Sequence, residues 1–185
     1  MKCLDCKLKL LTLTIVFITQ SFVLSSVFAQ EVGWPADEEI IWPSDNELPV
    51  CIDGELAYHD HPTLWVVVEQ SDGSRQVLTP FKDLGIKREP EEERCFREIH
   101  THDNSGRLHV ESVVNERRYQ LRHFLTLWES AEPEKVKLVR QHVQQVTVFD
   151  VESDEGRVVN TEEMGTIRLV DDRKILIVVG MDGAR

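Results

Sequence analysis

Several signatures of familiar chemistry are missing from this chain, and each absence closes a class. There is no glycine-rich phosphate loop and no His-Glu-x-x-His pair, so neither a P-loop nucleotide site nor a zincin-type helix is written here. No Gly-x-Ser-x-Gly elbow anchors a Ser-His-Asp triad, although one can be composed on paper, as in nearly any chain. Positive charge is scarce: 21 Lys and Arg stand against 33 Asp and Glu, a formal net charge of −12. So acidic a chain is repelled by nucleic acid and by anionic membrane surfaces, and it attracts cations. No motif for a small-molecule cofactor, no internal repeat and no second domain boundary is evident.

What is present begins with a leader. Lys2, Lys7 and Lys9 precede an apolar run over residues 10–29, and Val27-Phe28-Ala29 fits a small-residue cleavage site before Gln30. The rival reading is a retained signal anchor, because the run is nearly long enough to span a bilayer. On either reading residues 30–185 are exported, to the periplasm or beyond, and a membrane is a partner only if residues 10–29 stay as an anchor. No cysteine closes the run, which speaks against a lipoprotein. Removing Lys2, Lys7, Lys9 and Asp5 with the leader takes the net charge from −12 to −14.

Cysteine usage agrees with export. Cys3 and Cys6 lie in the leader, which leaves Cys51 and Cys95 as a lone pair in an oxidising compartment, the setting for a disulfide. The alternative is a pair of thiolate ligands or a catalytic thiol.

Five of the seven histidines fall in two short clusters. In Ile99-His-Thr-His-Asp-Asn-Ser-Gly-Arg-Leu-His-Val-Glu111, a turn at Asp103-Asn104-Ser105-Gly106 separates two extended segments, the pattern of a tight hairpin. Side chains alternate along a strand, so His100 and His102 leave on one face. A loop of two or four residues places His109 opposite His100, while Ile99, Leu108 and Val110 turn to a core. Upstream, His59 and His61 repeat the spacing in Tyr-His-Asp-His-Pro, and Pro62 puts them at a strand end or edge.

Imidazole binds late first-row metals through neutral nitrogen, and a pair on one strand face offers two donors at fixed separation. His59, His61, His100, His102 and His109 are therefore candidate ligands for zinc or copper, with Asp60, Asp103 and Glu111 as further ligands or ring-orienting partners. The bland reading is that these histidines satisfy turns and strand edges by hydrogen bonding. A cupin-type oxygenase also sets His-x-His on a strand, but Glu69 and Glu111 come too late after their pairs for that spacing.

The remaining pattern is that of a single small α+β domain over residues 56–185, mostly antiparallel strands with one or two short helices. An acidic, extended arm over residues 30–55 packs Trp34 and Trp42 on the body. Strands are expected at Leu64-Trp65-Val66-Val67-Val68 and at residues 75–79, joined by a turn at Ser71-Asp72-Gly73-Ser74. Pro80 to Ile86 is an irregular connection, and the Glu-rich stretch around Pro90 a solvated loop. Leu121, Phe124, Leu125 and Trp128 predict an amphipathic helix over residues 118–129 with His123 off its apolar stripe. A second helix over residues 134–144, alternatively a strand, leaves His142 on the surface. Strands follow at residues 146–151 and 157–159, and residues 166–169 and 174–179 form a last strand pair or one kinked strand.

The His-Thr-His-Asp-Asn-Ser-Gly-Arg-Leu-His-Val-Glu-Ser core, with the upstream His59-x-His61, the Pro80 to Leu84-Gly85-Ile86 segment and Leu121 to Trp128, resembles a poorly characterised family of exported bacterial and archaeal proteins. The similarity spans about residues 59–128, with a weaker echo in the terminal strands. His123 stands where that family has a polar or small residue, and Leu125 replaces a second aromatic. The resemblance implies a shared fold and site and no particular reaction. Three functions are carried forward: metal handling or a structural metal, an enzyme whose metal keeps an open position, and a cell-envelope module that binds a protein partner.

Overall fold

A computed structural model describes residues 40–151 and 155–181. The chain divides into two units, Met1–Trp34 and Pro35–Arg185; the leader and Trp34 lie outside the described residues.

The core is one face of a five-stranded sheet. Its strands are β2 (Thr63–Glu69), β3 (Arg75–Leu78), β8 (Val143–Phe149), β9 (Arg157–Val159) and β10 (Lys174–Gly180), in the order β3-β2-β10-β8-β9. Period-two alternation sends Leu64, Val66 and Val68 of β2 to the same side as Ile175, Ile177 and Val179 of β10 and Val146 and Val148 of β8, all buried and in register. Two helices, α1 (Leu121–Ala131) and α2 (Pro133–His142), bury Leu121, Phe124, Leu125, Leu127, Trp128, Val136 and Val139 in the same core. Pro133 opens α2 at its first turn, where its missing N–H costs nothing. The alternative of a strand over residues 134–144 is thus set aside up to His142, which is exposed as expected.

One expectation fails at the C-terminus. Residues 166–169 form no partner for the last strand: Thr161–Thr166 is a 3-10 turn, and Leu169 donates its N–H to the Tyr119 carbonyl. β10 instead lies between β8 and β2, and its pairing with β2 is parallel. A parallel pair between segments about a hundred residues apart leaves no local signature such as a hairpin turn, which is why the pattern of apolar runs misses it.

Three further strands make the second sheet: β1 (Tyr58–Asp60), β7 (His109–Ser112) and β6 (Ile99–His100), in the order β1-β7-β6. Between them, β4 (Ile86–Lys87) and β5 (Cys95–Phe96) pair across the Glu-rich stretch, where Glu91–Glu93 is an exposed 3-10 turn. The arm is stitched to this region. Ile41 donates to the Glu116 carbonyl, Ile52 to that of Phe96, and Glu98 to that of Val50. Trp42 is half-buried, with the Arg168 guanidinium 5.9 Å from its ring centre.

Cys51 and Cys95 are disulfide-bonded, with Cα atoms 5.2 Å apart. Closing a separation of 44 residues is worth about 3–4 kcal/mol in the chain-entropy picture. The double variant Cys51→Ser, Cys95→Ser is therefore expected to lose that much stability in urea unfolding; a loss below about 1 kcal/mol would mean the stitches of the arm hold it unaided.

Candidate metal site

The second sheet carries the histidines. β6 pairs antiparallel with β7 so that His100 faces His109, the register expected, and His59 of β1 faces Glu111 on the other side of β7. Residues 59, 109, 111 and 100 thus share one face by strand alternation, and Ile99, Leu108 and Val110 are fully buried on the other. His61 follows β1 directly, and its N–H donates to Asp171 Oδ1 at 2.8 Å, which anchors the short link from β1 to β2.

The hairpin is not tight. Pairing stops at His100 and His109, and residues 101–108 form a longer loop because its second arm bonds elsewhere. Leu64 donates to the Gly106 carbonyl and Leu108 to that of Pro62, so the loop is docked on the start of β2. Gly106 permits this: at φ +89° it is in the left-handed region, and a Cβ there would lie 2.4 Å from the Leu64 carbonyl oxygen. The turn itself is held by Asp103, whose Oδ1 accepts from the Ser105 N–H at 2.8 Å; Asp103 is exposed and occupied in this way. On the other flank, Thr101 Oγ1 accepts from the Leu84 N–H and donates to the Phe81 carbonyl, clamping the chain between His100 and His102. The Pro80 to Ile86 connection is thereby a support of the histidine strand. Gly85 makes the approach close, since a Cβ would meet the Ile99 carbonyl oxygen at 2.6 Å.

All five candidate histidines gather on this face. His59, His61 and His109 offer nitrogens within 4.8 Å of one another, as do His100, His102 and His109, and each trio could hold a metal ion. His59 Nε2 is 3.0 Å from His109 Nδ1 and 2.7 Å from Glu111 Oε1, while His100 Nε2 is 3.2 Å from His102 Nε2. Ligands about 2.0–2.1 Å from a tetrahedral ion are about 3.3–3.4 Å apart; the 3.2 Å between His100 and His102 is close to that, while His59 sits nearer its partners, at hydrogen-bonding distance. His100 is only 2% exposed, and its Nδ1–H donates to the Arg97 carbonyl at 2.8 Å. That bond fixes the tautomer and leaves the Nε2 lone pair turned toward His102. Asp60 adjoins the site without joining either trio, and burial raises its carboxyl to about 6.

Electrostatics favours neutral rings. Burial, and then the imidazoles of His102, His100, His61 and His59, push His109 down to about 3. Burial also lowers His100 and His61. Sequence reasoning missed three supports: Asp171, the Arg97 carbonyl and His123. The last is fully buried; its Nδ1 accepts from the Gln120 N–H and its Nε2–H donates to the Pro43 carbonyl, so it caps α1 and holds the arm. Burial lowers it too.

These shifts set a pH dependence for the metal-free protein. His61, His100, His109 and His123 bind protons less readily folded than unfolded, so the stability they contribute is present above about 6.5 and is lost as pH falls through their folded values. Asp60 opposes them, adding stability as pH falls below about 6. With four groups against one, the urea midpoint is expected to drop steadily from about pH 7.5 to about pH 5.5; a flat or rising midpoint would contradict the assignment.

Fold and face together define a disulfide-linked α+β domain whose small sheet presents a histidine cluster. No protein-family model matches the chain, and no solved structure matches it. The disulfide suggests an oxidising compartment, and no helix among the described residues is long and apolar enough to cross a membrane.

Proposed function

We propose that this is an exported protein that binds a late first-row transition metal, zinc or copper, for metal handling or as a structural ion. The observation that carries the reading is the convergence of two His-x-His pairs, some forty residues apart in sequence, on His109. Neutral imidazoles, the absence of a free thiolate at Cys51 and Cys95, and an acidic chain all suit such an ion. The leader and the resemblance to an exported family of bacteria and archaea support export and a shared site.

The test is metal content of untagged, disulfide-linked protein after equilibration with zinc or copper salts and removal of free ion. Wild type is expected to retain metal, and a variant carrying His59→Ala, His100→Ala and His109→Ala to retain none. Equal content in the two would overturn the proposal.

A second reading is an enzyme. Each trio supplies three nitrogens, and the 41% exposure of the His59 side chain opens its trio to solvent. A metal with three protein ligands keeps a position for water, the arrangement of catalytic zinc sites. X-ray absorption separates the two: a closed shell of four protein donors argues for storage or structure, three donors and an exchangeable water for catalysis.

A further inference from the structure

We infer that the histidine face holds two metal ions, with His109 common to both: one on His59, His61 and His109 beside the Glu111 carboxylate, the other on His100, His102 and His109. This rests on the metal-binding reading and sharpens it. Five imidazoles on one surface could in principle surround a single ion. But ligands about 2.1 Å from one centre can be no more than about 4.2 Å apart, and even within a looser 4.8 Å the donor atoms of the described residues gather only as two separate trios, never as one set of five. His109 is the sole member of both.

His109 is in contact with the members of both groups. His109 Nδ1 points to the first group, 3.0 Å from His59 Nε2 and 3.6 Å from Glu111 Oε1. The other nitrogen of a neutral imidazole carries its N–H, so a second ion bound there displaces that proton to solvent and His109 bridges the two ions as imidazolate. The ring also meets His102 edge-on, with centroids 4.3 Å apart, and His100 lies over its face at 5.2 Å and 16°. His61 closes the first group from its own side, edge-on at 4.7 Å. β7 places His109 in the middle of the three strands, so His59 comes from one neighbouring strand and His100 from the other.

The two positions differ chemically. The first has a carboxylate 2.7 Å from His59 Nε2, which offsets part of the charge of a dication. The second is all imidazole, with one ligand, His100, buried and oriented by a backbone carbonyl, and the other, His102, exposed. Their affinities are therefore unequal, and the ions load in sequence.

Native mass spectrometry of the untagged, disulfide-linked protein titrated with zinc or copper(II) chloride tests this. Wild type is expected to take up two ions in two steps. His59→Ala with His61→Ala should leave one ion, and so should His100→Ala with His102→Ala. A single ion in wild type overturns the two-ion inference and leaves the metal-binding reading standing; none overturns both. Because His100 is buried, its variant could lose the fold, and a measurement on wild type covers that case. With two equivalents of copper(II), ions sharing one imidazole must show spin–spin coupling in their paramagnetic resonance spectrum. Two independent, uncoupled signals would overturn the sharing of His109.

Discussion

Replacing His109 with alanine is expected to abolish tight metal binding while leaving the metal-free fold nearly unchanged. The ring is the common member of both trios, so no alternative set of three imidazoles survives its loss. Removing a residue that merely orients a ligand typically costs 10–100-fold in metal affinity, and loss of the ligand itself should exceed about 100-fold. The effect has a thermodynamic readout. Metal at about 100 times its dissociation constant stabilises the folded protein by about 2.7 kcal/mol, which for a domain of this size raises the melting temperature by about 5–11 °C. With affinity about 100-fold weaker, the same concentration contributes only about 0.4 kcal/mol, a shift near the resolution of the measurement. Without metal, the variant should melt close to wild type, since the His109 side chain lies on the face of the small sheet turned away from the core, 18% exposed, and its hydrogen bond is to another ring of the site, His59. A metal-induced shift as large in the variant as in wild type would remove His109 from the site.

Glu98→Ala is expected to destabilise the fold by about 3 kcal/mol or more. Glu98 is fully buried two residues before His100. Its carboxylate accepts from Ser112 Oγ at 2.6 Å, from the Tyr119 hydroxyl, and from Arg117 Nη1 at 3.1 and 3.2 Å. These partners come from the end of β7 and from the segment leading into α1, so one side chain ties the histidine sheet to the helical layer. Truncation leaves a guanidinium and two hydroxyls without their acceptor. Breaking a buried ion pair by removing one partner costs about 3–5 kcal/mol, and the lower end applies because Arg117 keeps 27% exposure. Glu98→Gln, which retains one acceptor oxygen and the volume, should cost less. Urea unfolding of the three proteins decides it, and a loss under about 1 kcal/mol for Glu98→Ala would show that the cluster is held by its other members.

Neither Glu98 nor Asp171 stood out in the sequence, whereas the histidines did, and the difference is physical. Strand alternation is a local rule with a period of two, so the pairing of His100 with His109 follows from the order of residues, whereas His102 lies in the loop beyond β6 and joins the group without a strand to place it. The apolar stripe of α1 is equally local. A carboxylate buried by contacts with residues 14 to 21 positions away obeys no such period, and it looks like any of the chain's many Glu residues. The burial of His123 is hidden for a related reason. It lies off the stripe made by Leu121, Phe124, Leu125 and Trp128, yet it is buried because the arm folds over it, and its cap on Gln120 lacks the usual Ser/Thr and Glu pattern. The eight-residue loop between His100 and His109 likewise reflects a competition with β2 that turn residues alone do not reveal.

The parallel pairing of β2 with β10 bears on the order in which the molecule comes together. The clustered histidines at positions 59 to 109 are made early in the chain, but the peptide N–H of His61 is held by Asp171, and Thr63 donates to the Arg173 carbonyl. Both contacts belong to the approach to the final strand. Contacts that span more than a hundred residues form late, after the loop entropy they close has been overcome. The nascent polypeptide therefore lacks the finished histidine face until its last stretch has paired with β2 and β8, and an ion bound as proposed would load after assembly rather than seed it.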